Sequence, residues 1–205
     1  MRREPSPSTR NDLEITGDTG TAIQAGVVHG GIQIRPSDDT YAPPRQLPMD
    51  AAVFVNRETY LANLDQLLQT GRTGNDPRTA VSAITGAPGV GKTALAVHWA
   101  HRVRKHFTDG QLYIDLQGHG PGTTLEAAQA LEGILRALNV AAHRIPQDLD
   151  GRAAVYRSIL TGRRLLIVLD NANSADQVRP LLPGSSGSLV IVTSRSALAG
   201  LVARE

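Results

Sequence analysis

The sequence predicts an α/β fold, a three-layer sandwich in which helices cover both faces of a mostly parallel β-sheet. Helical and strand patterns alternate from Val53 onward, as parallel strands joined by crossover helices require. Residues 165–169 form a continuous apolar run, which is typical of a strand buried on both faces. A glycine-rich stretch at 86–91 lies between a β-rich segment and an amphipathic helical pattern.

The elements of the first half are predicted from apolar periodicity and from turn residues. Leucines at helical spacing give a first helix one apolar face, and Gly71 ends that helix. The first strand covers residues 80–85. A helix follows from Lys92 to about His106, and residues 111–116 form the second strand.

The same alternation continues in the second half. Thr123 and Glu126 fit the capping-box spacing, which predicts that the next helix opens there. A further helix spans roughly residues 150–160 and leads to the apolar run, the third strand. Ser174 caps a short helix, and residues 189–193 form the fourth strand.

Composition divides the 205 residues into three zones. Residues 1–35 are poor in charge patterning, and we expect a disordered arm. Residues 36–50 contain four prolines, which lack an amide donor and fix their own φ, so this zone is predicted to be a linker. Residues 51–205 carry all the alternating elements and form the predicted folded domain.

Charge and cysteine content exclude several classes of protein. The net charge is +2 and no long basic run is present, so we expect no nucleic-acid partner for this chain. The absence of cysteine excludes disulfides and thiolate zinc sites. No signal peptide is visible and the longest apolar run is too short to span a bilayer, so we expect a cytoplasmic protein without a membrane partner.

Residues 86–93 (GAPGVGKT) fit the P-loop pattern G-x-x-x-x-G-K-[ST]. Glycines let backbone amides converge on phosphate oxygens, Lys92 places a charge between the β- and γ-phosphates, and the Thr93 hydroxyl ligates Mg²⁺. A glycine-rich turn could match by chance, but the strand before it and the helix after it favour a P-loop NTPase. The residues assigned to nucleotide binding here are Gly86, Ala87, Pro88, Gly89, Val90, Gly91, Lys92, Thr93 and Ala94.

An aspartate ends the third strand, as in a Walker-B motif. Asp170 follows the apolar run and would lie beside the P-loop, where it can hold the hydration shell of Mg²⁺. A turn aspartate that merely ends the strand is the alternative. The next residue, Asn171, cannot accept a proton from water, so we expect slow ATP hydrolysis.

An arginine follows the fourth strand. Arg195 would lie near the γ-phosphate, where its guanidinium could sense the triphosphate and stabilise transferring charge. A solvated surface arginine is the alternative. Together with Lys92 and Asp170, this residue completes the predicted catalytic set.

Three histidines, His98, His101 and His106, occupy the helix predicted after the P-loop. A metal site there would need further ligands that the sequence does not offer. We therefore expect solvated side chains on the face of this helix.

These motifs together resemble the NB-ARC domain of STAND-type signalling ATPases of filamentous bacteria. Residues 54–58 (FVNRE) are similar to the family's h-h-G-R-E motif, the P-loop and Walker-B strand match, and residues 189–195 match the sensor 1 strand. The resemblance covers about residues 45–203. It implies that Arg57 contacts the adenine side of the nucleotide and that the cofactors are ATP or ADP with Mg²⁺.

Two departures from the family pattern stand out. Asn56 replaces the glycine of the h-h-G-R-E motif. The family also continues into a fifth strand, a helical ARC region and a sensing module, so residues 51–205 are expected to be a partial domain, truncated before the ARC region. The resemblance further implies self-association of the whole protein when it is activated.

The arm contains a glycine-rich apolar segment at about residues 17–35. Its step Ile23-Gln24-Ala25-Gly26 resembles RHIM-like bacterial amyloid-signalling motifs, which implies an effector that carries a matching motif. A disordered arm or a packed hairpin is the alternative.

The leading function is therefore an ATP/ADP-binding signalling switch whose nucleotide state controls oligomerisation. One alternative is the ATPase module of a bacterial transcription regulator, although no helix-turn-helix pattern precedes the linker. A small P-loop phosphotransferase is the other alternative. That function would require an acceptor pocket with a catalytic base, which the sequence does not indicate.

Overall fold

The computed structural model describes residues 42–51, 57–72, 79–119 and 122–201. The predicted arm with its motif at 17–35 and most of the FVNRE segment lie outside these ranges. The strands are β1 (Ala80–Thr85), β2 (Gly110–Asp115), β3 (Leu165–Ala172) and β4 (Leu189–Ser194), and the helices are α1 (Glu58–Arg72), α2 (Lys92–Val103), α3 (Ala127–Ala137), α4 (Leu149–Leu160) and α5 (Ala175–Val178).

The four strands form one parallel sheet in the order β1-β4-β3-β2. The chain runs from β1 at one edge to β2 at the other and then fills the centre with β3 and β4. Because all four strands are parallel, their carboxyl ends lie at the same edge of the sheet, where ligands of open α/β folds bind. The P-loop follows β1, Arg195 follows β4, and Asp170 lies near the carboxyl end of β3.

Helices pack on both faces of the sheet. On one face, α1 and α2 bury an apolar cluster that includes Trp99 and the β3 residues Leu166 and Val168. On the other face, α3 and α4 cover Ile167 and Leu169 of the same strand. Strand β3 is therefore buried on both sides, and the predicted three-layer P-loop NTPase fold is confirmed.

Helix α3 corrects one sequence prediction. The capping box pairs Glu126 with Gln129, and the Gln129 side chain accepts a hydrogen bond from the Glu126 amide at 3.2 Å. The helix begins at Ala127. The prediction that the box joins Thr123 to Glu126 was wrong by one turn. Leu125 explains this, because its amide donates to the Leu116 carbonyl at 3.1 Å instead of to a carbonyl within a helix that begins at Thr123.

Residues 44–50, here called the strap, lie against the domain although the sequence assigned them to the linker. The backbone of the strap pairs with the outer edge of β2: the Gln111 amide donates to Pro44 O at 2.7 Å, and the Gln46 amide donates to Gln111 O at 3.0 Å. Leu47 packs against the apolar cluster under α2. The prolines are consistent with the lack of a regular strand here, because proline cannot donate a backbone hydrogen bond to a sheet. They did not indicate that the strap packs on the domain.

The strap also contacts two of the histidines on α2. His98 Nδ1 lies 3.1 Å from Asp50 Oδ1, and His101 Nε2 lies 2.7 Å from Pro48 O. The expectation that both rings are simply solvated was therefore wrong. Periodicity assigned them to an outer helix face, but it could not show that the strap covers that face.

None of the helices within the described ranges combines the length and the apolar character needed to cross a bilayer.

Candidate nucleotide-binding site

The P-loop lies between β1 and α2 in the predicted position. Gly89 has a φ of 77° and Gly91, the N-cap of α2, has a φ of 85°. Side chains with a Cβ are strained in this left-handed region, so the loop requires glycine at both positions. A glycine turn of this kind before a helix lets backbone amides and the amino end of the helix converge on an anion.

Two cations contact P-loop carbonyls. Lys92 Nζ donates to the carbonyls of Gly86 and Ala87, both at 2.9 Å, so its amino group lies over the loop. The Arg57 guanidinium donates to the Val90 carbonyl from the start of α1. The structure therefore brings Arg57 to the P-loop, while its contact with adenine stays a prediction.

The Asp170 carboxylate is buried, with 5% of the residue exposed, and it accepts hydrogen bonds from three hydroxyl groups. Thr93 Oγ1 lies 2.8 Å from Oδ1 and 3.1 Å from Oδ2. Tyr113 donates to Oδ2 at 2.9 Å, and Thr193 donates to Oδ1. The sequence assigned Thr93 and Asp170 to the same Mg²⁺ site but did not indicate their hydrogen bond, nor the part that Tyr113 and Thr193 play.

A β-bulge sets the backbone at Asp170. Leu169 pairs with Val192 and Ala172 pairs with Ser194, so β3 carries one residue more than β4 across this step. Asn171 within the bulge has a φ of 57°. Such bulges re-aim a side chain near active sites, and here the Asp170 carboxylate meets Thr93 at the start of α2.

The chain after β2 packs closely on this bulge. The Gly118 amide donates to Asn171 O at 2.8 Å. A Cβ at Gly118 would lie 2.5 Å from Asn171 O and 2.4 Å from Asn173 N, too close for any other residue without a backbone shift. The Asn171 side chain donates to the His119 carbonyl at 3.3 Å. Sequence analysis missed this role of Gly118, although a glycine shortly after a strand was a visible signal.

A cleft of about 420 Å³ lies among these strand ends. Its walls contain most of the predicted site residues together with three that were not assigned to the site, Asn171, Thr193 and Ser194. The lining residues are Pro88, Gly89, Gly91, Lys92, Thr93, Ala94, Asp170, Asn171, Thr193, Ser194 and Arg195. The predicted residues outside the lining are Gly86, Ala87, Val90 and Arg57. Gly86 and Ala87 contact the lining through the hydrogen bonds of Lys92, whereas Arg57 and Val90 contact each other.

The donor atoms of the cleft suit Mg²⁺ better than a transition metal. No group of three or more histidine, aspartate or glutamate side chains in the described ranges could hold a metal by itself. A hydroxyl and a carboxylate, Thr93 and Asp170, stand together, and Mg²⁺ characteristically uses one or two such oxygens with substrate phosphates and water. Burial and the adjacent Asp170 charge raise the pKa of Tyr113, so its hydroxyl stays protonated as a donor.

Comparison with known proteins places this architecture in a family. Residues 76–184 match the AAA domain profile, which covers more than half of the chain. The chain belongs to the AAA domain family. The chain is 50% identical over 167 residues to the regulatory protein AfsR of Streptomyces griseus and 49% identical over 154 residues to AfsR of Streptomyces coelicolor. The matches cover 78% and 74% of the chain but only 17% and 15% of those proteins.

More distant relatives include plant proteins. The chain is 26% identical over 165 residues to the disease resistance-like protein CSA1 of Arabidopsis thaliana, covering 78% of this chain and 13% of that protein. The Aeropyrum pernix ORC2 protein with ADPNP and ADP has the same fold, with a TM-score of 0.50 at 19% identity over 78% of this chain and 44% of that chain. The Aeropyrum pernix ORC1 protein in complex with DNA gives a TM-score of 0.50 at 20% identity, over 75% and 42% of the two chains.

Proposed function

We propose that this chain is the ATP/ADP-binding module of a STAND-type signalling switch, with Mg²⁺ as cofactor and slow ATP hydrolysis. One observation carries the proposal: Lys92 and Thr93 at the start of α2, Asp170 in β3 and Arg195 after β4 line the same cleft. Each supplies a group that triphosphate binding requires.

The roles follow from the positions of these groups. Lys92 would exchange its carbonyl partners for β- and γ-phosphate oxygens. Thr93 can coordinate Mg²⁺ through its oxygen while its proton remains donated to Asp170, because a hydroxyl has two lone pairs. Arg195 is exposed at the end of β4, where it can approach the γ-phosphate of ATP but would have no partner in ADP.

The relatives favour a module within a larger regulatory protein. The chain spans less than a fifth of the AfsR proteins that it matches, so the activity of any larger protein is a proposal. The identity to AfsR supports the ATPase module of a transcription regulator, and the weaker similarity to CSA1 supports an NB-ARC switch. An NB-ARC switch and the ATPase module of a regulator are compatible functions if the nucleotide state controls self-association of that regulator.

A phosphotransferase has less support from the cleft. That reaction needs a base to accept the proton of the acceptor hydroxyl. The carboxylate in the cleft lining is Asp170, and three hydroxyls already donate to it. It is therefore better suited to metal binding than to proton transfer.

A second part of the proposal concerns residues 17–35. We infer that they are a RHIM-like self-assembly segment that recruits an effector with a matching motif. The segment lies outside the described residues, so this inference rests on the sequence pattern alone.

Nucleotide binding by Lys92→Ala tests the proposal. Loss of the Lys92 charge should weaken ATP binding by at least about tenfold, or roughly 1.4 kcal/mol. A fluorescent ATP analogue would be titrated into the unaltered chain, into Lys92→Ala and into Lys105→Ala. Lys105 is a matched control, because it is an exposed lysine just after α2 and outside the cleft. Equal affinity of all three proteins would contradict the P-loop assignment.

The same preparations test the switch. Sedimentation would be compared with ADP and with a non-hydrolysable ATP analogue. We expect larger species with the triphosphate, and none in Lys92→Ala. Identical sedimentation with both nucleotides would contradict the switch, although the chain could still bind nucleotide.

A further inference from the structure

The Asp170 carboxylate is held from both sides of its own strand. Thr193 lies on β4 and Tyr113 lies on β2, and these two strands flank β3 in the sheet. Thr193 donates to Oδ1, while Tyr113 donates to Oδ2 at 2.9 Å. The two oxygens therefore have different permanent partners, and the carboxylate plane cannot rotate without losing a hydrogen bond.

The Tyr113 ring is itself fixed in place. Tyr113 pairs with Val168, two residues before Asp170, so its side chain must reach along the strand direction to the carboxylate. The ring packs against the apolar cluster between α2 and the sheet. A packed ring with a single hydroxyl at its end is a rigid donor, and rigid donors orient a ligand better than mobile ones.

We propose that Tyr113 is a positioning residue for Mg²⁺, whose hydroxyl orients Asp170 toward the metal and its water shell beside Thr93. This inference rests on the proposed function. Asp170 has about four lone-pair directions, and the hydroxyls of Thr93, Thr193 and Tyr113 donate three protons to them, with Thr93 within reach of both oxygens. When Thr93 donates to Oδ1, its shorter contact, Oδ2 keeps one direction for a metal-bound water, and the hydrogen bond from Tyr113 fixes how Oδ2 presents that direction.

Mg²⁺ titration of Tyr113→Phe tests this role, because the substitution removes only the hydroxyl. Binding of a fluorescent ATP analogue would be followed as Mg²⁺ is raised, and again in EDTA without metal. Tyr156→Phe is the matched control. It removes another buried tyrosine hydroxyl, one that donates to Leu181 O at 2.8 Å on the α4 face, away from the cleft.

We expect the Mg²⁺ concentration at half-saturation to rise about tenfold in Tyr113→Phe, the usual effect of removing a group that orients a metal ligand. The affinity of Tyr113→Phe for the analogue in EDTA should stay within twofold of that of the unaltered chain. Tyr156→Phe should have a lower melting temperature but the same Mg²⁺ dependence as the unaltered chain. An unchanged half-saturation in Tyr113→Phe would overturn the inference, as would an equal loss of affinity in EDTA. If the unaltered chain bound no nucleotide, the proposed function would fall, and this inference with it.

Discussion

At the scale of single residues, the bulge after Asp170 determines what the cleft can do to a bound triphosphate. Asn171 lines the cleft, but its amide cannot take a proton from an attacking water. Its side-chain NH₂ also donates to the His119 carbonyl at 3.3 Å, which directs the donor end of the amide toward the β2 loop. The left-handed backbone at Asn171 suits asparagine and aspartate better than glutamate.

The residue-scale prediction concerns the turnover of ATP. The unaltered chain should hydrolyse less than about one ATP per minute, well below the usual range for enzymes. Asn171→Asp should raise that rate at least about tenfold, because it places a base in the cleft and keeps a residue that tolerates the positive φ. Phosphate release at saturating ATP would be measured, with Asn173→Asp as an exposed control outside the cleft lining.

A turnover of many per second in the unaltered chain would show that another group activates water. Equal rates in the two aspartate variants would show that Asn171 does not occupy the water-activating position.

At the scale of elements, the strap joins the edge of β2 to the helix that follows the P-loop. It forms two backbone hydrogen bonds with Gln111 and approaches His98 and His101 on α2. Because α2 begins at Lys92, the strap braces the element that carries two of the predicted phosphate and metal groups. The strap is thus part of the support of the site, although its prolines indicated a linker.

The element-scale prediction compares a chain that begins at residue 42 with one that begins at residue 52. The shorter chain should be less stable by about 2 kcal/mol, since it loses several hydrogen bonds worth about 0.5–1.5 kcal/mol each. Urea denaturation followed by circular dichroism would measure the difference. Met49→Ala in the longer chain is the control, because Met49 is 94% exposed within the strap. Equal midpoints for the two chains would mean that the strap contributes nothing to the fold.

At the scale of the whole molecule, the strand order gathers groups from distant parts of the sequence. Strands β4 and β3 occupy the centre of the described sheet, so Arg195 after β4 and Asp170 near the carboxyl end of β3 line one cleft with the P-loop that follows β1. Residues 17–35 contain none of these groups. The nucleotide domain and the arm are therefore expected to act separately.

The whole-molecule prediction is that residues 17–35 assemble without the nucleotide domain. From residue 19 to residue 34 there is no proline and no charge apart from any on His29, so stacked copies would not repel one another. A synthetic peptide should form fibres with a reflection near 4.7 Å, and Gln24→Asp should prevent them by stacking like charges. A chain that begins at residue 42 should form no fibres. A peptide that stays soluble, or fibres that persist with Gln24→Asp, would contradict a self-assembly role for residues 17–35.

The sequence by itself determined the features that depend on local spacing. The alternation of helices and strands, the P-loop at 86–93, Asp170 at the end of a buried strand and the Ser174 cap all follow from residues close together in the chain. Each is encoded by periodicity, by glycine geometry or by a cap within a few residues. One local signal failed, because the extended chain before Glu126 moved the capping box by one turn.

Only the tertiary structure decided which distant residues meet. Tyr113 and Asp170 are 57 residues apart in sequence, and Thr193 lies 23 residues beyond Asp170. Their contact depends on strand order, on the register of β2 against β3 and on a bulge of one residue, none of which periodicity encodes. The strap gives the same lesson, because composition describes a segment's own conformational preferences and says nothing about the surface on which it packs.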